Sequence, residues 1–325
     1  MIRAVMPPLE DSSAPRFHRH SGRVMLAALL FFSALLVRSS QGADFATEVM
    51  NATFKLFHPH STGTCFLVRR EAPDPAIYLI TAAHSFDRMK GESATLVLRK
   101  AKDRSFERHD YKIPIRREGA PLWVRHASQD IAVLRLEEPL PVPVAALSST
   151  TLADEALLQG AGVHIGSPLF ILTYPERVEA NSAGFPIARH GIFASPPLLP
   201  IDTNPTFFGD FPAYAGDSGG PVFLQGGEGQ RLLVGMVTAK LRHDEKIETQ
   251  HEERTIHHPL NLGIIVHAQY LRETLELAAS GGAKSTGIEK TGAPAEPAPA
   301  PKTQEATTRG ASEAESPSEE APHSM

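Results

Sequence analysis

The chain has 325 residues, of which 42% are apolar and 21% charged, and its formal net charge is −5. This length allows one large or two small globular units with a sizeable core. The charge balance is ordinary and gives no reason to expect a nucleic-acid partner. A single cysteine, Cys65, excludes an intrachain disulfide, so packing and hydrogen bonding must stabilise the fold.

The first 43 residues have the pattern of an export segment. Arginines precede an uncharged run of fourteen residues, 24–37, which is short for a membrane-spanning helix of about 20 residues but suits the core of a secretory signal. Small residues follow and offer a cleavage site after Gly42 or Ala43. We predict a signal peptide or, alternatively, an uncleaved membrane anchor over residues 1–43, and export of the remainder to the periplasm or the extracellular space.

Short apolar runs, bounded by turn residues or charges, fill residues 44–279. Runs of this length that are rich in Val, Ile, Leu and Phe predict strands rather than helices. A proline-rich break at residues 137–150 separates two groups of runs. We therefore expect a mainly β fold, with one unit over residues 44–146 and a second over residues 147–279. The runs are TCFLV, AIYLITA, ATLVLR, DIAVLRL, SPLFILTY, GPVFL, RLLVGMVTA and LGIIVHA.

The end of the chain follows two other patterns. AQYLRETLELAA, just before residue 280, spaces its apolar residues as on one face of a helix and predicts a closing helix. Residues 280–325 contain no aromatic residue, and Ile288 is their only branched aliphatic one. Such a segment cannot bury enough apolar surface to offset its chain entropy, so we expect a disordered tail.

An insertion at residues 241–260 combines histidines with several acids. It lacks a zinc spacing such as His-Glu-x-x-His, so we expect a solvated charged hairpin there and no metal site. The segment FPIARHGIFAS, residues 185–195, suggests no chemistry and is expected to be a structural hairpin.

The most informative stretch is GDSGGP, residues 216–221. A nucleophilic hydroxyl must be open to a substrate carbonyl, with backbone N–H groups near the oxygen that becomes negative. Glycines on both sides leave room for both and tolerate a tight turn. Ser218 is therefore a candidate nucleophile, although a serine merely exposed on a Gly-rich turn would have the same local sequence.

A serine hydroxyl is a poor nucleophile unless a base accepts its proton and an acid orients that base. His84 follows the apolar run YLITAA, and Asp130 opens the run DIAVLRL. Asp87 and Asp210 are further candidates for the acid. Only Asp130 precedes an apolar strand that would carry it inward, so we favour it.

The blocks TAAHS, DIAVLRL and GDSGGP, in this order, resemble the three catalytic blocks of the trypsin/chymotrypsin-like serine proteases. The resemblance covers about residues 51–279. It implies two packed six-stranded antiparallel β-barrels, a site in the cleft between them and a terminal helix. It also implies that Ser218 is the nucleophile, His84 the general base and then acid, and Asp130 the carboxylate that orients the imidazole.

The same resemblance assigns the groups that would bind the substrate. The backbone N–H groups of Gly216 and Ser218 would form the oxyanion hole. Thr238 would lie on the strand along which the substrate backbone aligns. Pro212 would lie at the base of the specificity pocket, and Gly263 would leave room in the opposite wall.

The insertion at residues 241–260 is one departure from the family, and two others bear on the site. No IVGG-like activation terminus precedes the first strands, so Asp217 needs another cation or hydrogen-bond donors, and we expect no activation by cleavage. Pro212 carries no charge, so we expect small or apolar residues before the cleaved bond.

The sequence therefore predicts a serine endopeptidase that cleaves polypeptides through an acyl-enzyme, without metal or organic cofactor. Contact with a membrane is expected only if the N-terminal segment is retained. The alternative is a binding or scaffold protein that keeps the barrel fold with little or no catalysis. A quality-control protease is a less favoured alternative, because no peptide-binding domain follows.

Overall fold

The computed structural model describes residues 44–281, except residues 72, 138, 197, 226–230 and 250–251. The predicted export segment and residues 282–325 of the predicted tail lie outside the described residues. Within them the fold is mainly β and ends in a helix, as predicted. None of the described helices is long and apolar enough to span a bilayer.

The N-terminal half is built on one large sheet and a small one. The hydrogen-bonded order of the large sheet is β5-β4-β1-β2-β3-β9-β8, with β10 parallel to β2, and β6 pairs with β7. The strands are β1 Thr53–His58, β2 Ser61–Arg70, β3 Ala76–Thr81, β4 Ser93–Lys102, β5 Ser105–Pro114, β6 Arg116–Arg117, β7 Ala120–Pro121, β8 Val124–Arg125, β9 Ala132–Arg135 and β10 Leu147–Ser148.

Two short helices belong to this half. Helix α1, Phe45–Ala52, begins after Asp44, whose carboxylate accepts the N–H of Thr47 at 2.9 Å and so caps the helix. Helix α2, Ala83–Arg88, follows directly on β3, whose six residues are all buried.

The C-terminal half forms a closed antiparallel barrel in the order β11-β12-β13-β16-β15-β14. Its strands are β11 Pro168–Thr173, β12 Ile187–Phe193, β13 Thr206–Asp210, β14 Pro221–Gln225, β15 Arg231–Glu248 and β16 Glu253–His267. Helix α3, Glu155–Gly160, precedes the barrel, and helix α4, Ala268–Ala279, is the predicted closing helix. The outer parts of β15 and β16 pair as the predicted hairpin.

The halves differ from the expected pair of six-stranded barrels in one respect. The large N-terminal sheet has eight strands, and its described pairings form a path rather than the closed ring of the second half. The additional strands β8 and β10 have two residues each, too few to produce a period that a sequence pattern could show.

Apolar side chains from both halves meet in a shared core. Tyr78 of β3 and Phe66 of β2 pack in one cluster with Phe223 of β14 and with Leu271 and Leu275 of α4. These side chains are buried, so their apolar contact holds the two halves together.

Candidate active site

His84 and Asp130 are adjacent because strands β3 and β9 are paired. Thr81, at the end of β3, lies opposite Ala132 at the start of β9. His84 Nδ1 is 2.5 Å from Asp130 Oδ2, and the backbone N–H of His84 donates to Asp130 Oδ1 at 2.9 Å. The carboxylate therefore fixes both the ring and the backbone of His84, and leaves Nε2 as the ring nitrogen available to another group.

The ionisation of Asp130 suits this role. Burial opposes the charged form, but the hydrogen bonds and charge of His84 outweigh it and lower the pKa of the Asp130 carboxyl below its usual value. Asp130 is therefore an anion at neutral pH and can stabilise a protonated imidazole. Asp87 pairs instead with Arg125 at 2.6 Å, and Asp210 is exposed at the end of β13.

Ser218 lies on the turn before β14. Its carbonyl accepts the N–H of Thr64 at 2.9 Å. A Cβ added at Gly63 would be 3.0 Å from the hydroxyl of Ser85 and 3.4 Å from the carbonyl of Ser218. Ser85, which follows His84, and the candidate nucleophile Ser218 therefore both lie beside Gly63. The Ser218 hydroxyl itself donates to the Thr238 carbonyl at 3.3 Å.

Gly216 needs the conformational freedom of glycine. Its φ is +95°, and a side chain there would overlap the Tyr174 carbonyl. The hydroxyl of Thr64 donates to the Gly216 carbonyl at 2.8 Å and accepts the N–H of Tyr174 at 3.1 Å. One threonine therefore joins the turn that carries Gly216 to the end of β11.

The Ser218 N–H is oriented by its own peptide group. The Asp217 carbonyl accepts the N–H of Gly220 at 2.9 Å. The C=O and N–H of a trans peptide point in opposite directions, so the Ser218 N–H is turned away from Gly220. Within the described part of the chain, the N–H groups of Gly216 and Ser218 donate to no protein acceptor.

Asp217 has the cation that the sequence required. Its carboxylate is 1% exposed and forms an ion pair with Arg189 of β12 at 2.7 Å. Its other oxygen accepts the N–H of Tyr214 at 2.7 Å. The segment FPIARHGIFAS is therefore not only a structural element, because it supplies this guanidinium. The requirement of Asp217 for a cation could have directed attention to Arg189, but no local pattern does.

Arg189 contacts both ends of the turn before Ser218. Its guanidinium donates to the carbonyl of Pro212 and, at 2.7 Å, to the hydroxyl of Thr173. It also lies over the rings of Phe211 and Tyr214, with centroid distances of 5.6 and 5.7 Å. These contacts tie residues 212–217 to the wall of the barrel.

The expected specificity pocket is more filled than the sequence suggested. Thr238 lies on β15 and donates its hydroxyl to the carbonyl of Ile264 at 3.2 Å. Gly263 pairs with Gly209 across β13 and β16, and the ring of Phe211 lies where a side chain on either glycine would be. The ring of Phe211, 1% exposed, takes the space beside Gly263, and a role of Gly263 in substrate binding stays a prediction.

Among the described residues, the cysteine is buried and two of the hairpin histidines are paired with acids. Burial raises the pKa of the Cys65 thiol, which keeps it protonated and unreactive. In the hairpin, His257 and His258 pair with Asp244 and Glu245 at 2.7 and 2.9 Å. The described residues contain no group of three His, Cys, Asp or Glu side chains arranged to hold a metal ion.

A family model described as the trypsin-like peptidase domain matches residues 63–236. The chain is similar to an inactive form of the Rv3671c protease from M. tuberculosis, at 17% identity over 71% of this chain and 91% of that one, with a TM-score of 0.39. It is also similar to the thermostable serine protease AL20 of an extremophilic microorganism, at 14% identity over 72% and 99%, with a TM-score of 0.44. A search of curated proteins finds no match.

Proposed function

Because the chain belongs to the family of trypsin-like peptidase domains, we propose that it is a serine endopeptidase that uses Ser218, His84 and Asp130. The observation that carries this proposal is the pairing of His84 with a partly buried, anionic Asp130. Ser85, which follows His84, and the carbonyl of Ser218 both lie against Gly63. A polypeptide is the substrate, and the reaction needs no metal or organic cofactor.

In the first half of the reaction, the Ser218 hydroxyl attacks the carbonyl carbon of the scissile bond. His84 Nε2 accepts the hydroxyl proton, while Asp130 holds Nδ1–H and stabilises the imidazolium. The oxygen that becomes negative is bound by the N–H groups of Gly216 and Ser218. The imidazolium then gives its proton to the leaving amine, and the acyl group remains on Ser218.

The second half repeats these steps with water. His84 takes a proton from water, which attacks the ester, and returns the proton to Ser218 as the acid product leaves. Before the first half, the Ser218 hydroxyl must leave the Thr238 carbonyl. A substrate strand aligned along β15 would bring a backbone N–H to that same carbonyl and release the hydroxyl toward His84.

The pocket favours substrates with a small residue before the cleaved bond. Pro212 provides no charge to pair with lysine or arginine, and Phe211 fills the space beside Gly263. A long or aromatic side chain would have to displace a buried ring. We assign alanine, glycine and serine to this position.

Export is part of the proposal and rests on the sequence of residues 1–43. We place the catalytic unit in the periplasm or outside the cell, released after Gly42 or Ala43 or held by an anchor. Whether the segment is removed is tested by the N-terminal sequence of the protein recovered from its native host.

Reaction with a fluorophosphonate probe tests the site. The wild-type chain should be labelled at Ser218, and labelling should disappear in Ser218→Ala and fall strongly in His84→Ala. The matched serine control is Ser280→Ala, at the end of α4, which should be labelled like the wild type. A folded wild-type chain that does not react would favour the binding or scaffold alternative. The hydrogen bond from the Ser218 hydroxyl to the Thr238 carbonyl is compatible with that alternative.

A further inference from the structure

A strained turn lies beside the candidate oxyanion hole. In the turn Pro175–Arg177, Glu176 has φ 47° and ψ 33°, and Arg177 has φ 70°. Left-handed backbone is strained for a residue other than glycine and persists only where the surroundings enforce it. Two such residues in succession therefore require a compensating interaction.

The turn is anchored from behind by buried groups. Lys55, on β1, donates to the Arg177 carbonyl at 2.8 Å and to the Glu179 carboxylate at 2.6 Å. Tyr174 is fully buried and donates its hydroxyl to the Gly184 carbonyl at 2.9 Å. These contacts fix both ends of the turn, so Glu176 cannot relax independently.

What the strained turn gains is a reciprocal pair of hydrogen bonds with Ala215. The backbone N–H of Glu176 donates to the Ala215 carbonyl at 2.6 Å. The N–H of Ala215 donates to Oε1 of the Glu176 side chain at 3.1 Å. One residue thus holds both polar backbone groups of Ala215, the residue before Gly216.

The first of these two bonds, to the Ala215 carbonyl, determines the direction of the Gly216 N–H. The Ala215 carbonyl and the Gly216 N–H belong to one planar trans peptide and point in opposite directions. Holding the carbonyl at Glu176 therefore turns the N–H away from the turn. The Thr64 hydroxyl holds the next carbonyl, that of Gly216, so the peptide groups on both sides of Gly216 are fixed.

We propose that Glu176 is a positioning residue of the oxyanion hole, which holds the peptide between Ala215 and Gly216 so that its N–H faces the reacting oxygen. The inference rests on the proposed function of Ser218. The acceptor oxygen of the side chain, and not its charge, holds the Ala215 N–H and so keeps Ala215 where the backbone bond to its carbonyl can orient the next peptide. An orienting contact on the preceding residue matters because removing one oxyanion donor typically lowers kcat by about 10²–10³.

The test compares Glu176→Ala, which removes the acceptor, with Glu176→Gln, which keeps it. Glu176 is exposed, so neither change should affect folding, and thermal unfolding verifies this. The matched control is Glu118→Ala, another exposed glutamate with positive φ, which lies in the turn between β6 and β7. Each variant is assayed for kcat and KM with a quenched peptide and for inhibition by a peptide boronic acid, whose tetrahedral adduct occupies the oxyanion hole.

For Glu176→Ala we expect kcat to fall at least about tenfold and the boronic acid to bind about tenfold more weakly, with KM within about twofold. Glu176→Gln should retain most of the activity, and Glu118→Ala should match the wild type. An unchanged Glu176→Ala, a change in KM alone, or equal losses in Glu176→Gln and Glu176→Ala would each overturn the inference.

The fluorophosphonate probe separates this inference from the function on which it rests. If the wild type reacts with the probe and Glu176→Ala keeps the full kcat, only the inference on Glu176 is overturned. If the wild type does not react, both the proposed function and the role of Glu176 are overturned.

Discussion

The guanidinium of Arg189 and the carboxylate of Asp217 form a buried ion pair at 2.7 Å directly before Ser218. Asp217 is 1% exposed, so its charge has little access to water and depends on this partner. The cation is a side chain from the middle of the sequence, on β12. The turn that carries Ser218 therefore has its counter-ion without a newly formed amino terminus.

Arg189→Met is expected to destabilise the protein by about 3–5 kcal/mol, because it leaves Asp217 buried and unpaired. Urea unfolding measures this loss. The double variant Arg189→Met with Asp217→Asn should recover much of the stability while activity stays low, since the turn is no longer held. The control is Arg135→Met, which breaks an exposed pair with Asp74 and should cost less than about 1 kcal/mol. A loss of the same size in both single variants would contradict this account.

Asp130→Asn should lower kcat by about 10⁴, because an amide at this position does not hold the imidazole in the tautomer that accepts the serine proton. The fold should be unaffected, since Asn has the size of Asp. The measurement is kcat with a quenched peptide, together with thermal unfolding. Activity within tenfold of the wild type would show that another acid, such as Asp87, orients His84.

The filled pocket predicts a narrow choice of residue before the cleaved bond. Mass spectrometry of a digested peptide library should show cleavage after Ala, Gly and Ser. Phe211→Val should raise the rate of cleavage after Leu and Met by about tenfold or more, because the smaller side chain leaves space for theirs. Each methylene that an apolar pocket accommodates is worth about 1–3 kcal/mol. Phe193→Val, in the same barrel core, serves as the control and should not alter the choice. Wild-type cleavage mainly after Arg, Lys or Phe would refute the assignment.

His267 makes the fold sensitive to acid. Its ring is 0% exposed, its nitrogens have no partner among the described residues, and burial lowers its pKa from 6.5 to about 4. Between these values the unfolded chain binds a proton that the folded chain does not, so stability falls as pH drops from about 6.5 to 4.

The loss amounts to about 3 kcal/mol of unfolding free energy and should be absent in His267→Phe, whose ring would pack on Phe207. Urea titrations at pH 7 and pH 4 measure it, with Ser218→Ala as the common background to prevent self-cleavage. Equal pH dependence in the two proteins would contradict the prediction.

Much of the scaffold could be predicted from the sequence because its signals are local. The apolar runs correspond to strands, and AQYLRETLELAA coincides with α4. Strand β5 is not predicted, since most of its residues are exposed, four of the ten are charged, and it shows no apolar period. Helix α1 could have been found from Asp44, whose spacing to Thr47 is that of an N-cap.

The contacts that shape the site could not be predicted in the same way. Arg189 with Asp217 and Glu176 with Ala215 join residues that are distant in sequence and meet only when the barrel closes. The ring of Phe211 fills the space beside Gly263 for the same reason. A motif identifies the residues that carry the chemistry. The residues that hold them in place depend on which strands become neighbours in the fold.

Cleavage of an unfolded polypeptide by the purified chain and by Ser218→Ala tests the central claim most directly. The account predicts fragments that increase with time in the wild type and none in Ser218→Ala, prepared in parallel and equally folded. Fragments produced at the same rate by both proteins, or by neither, would contradict it.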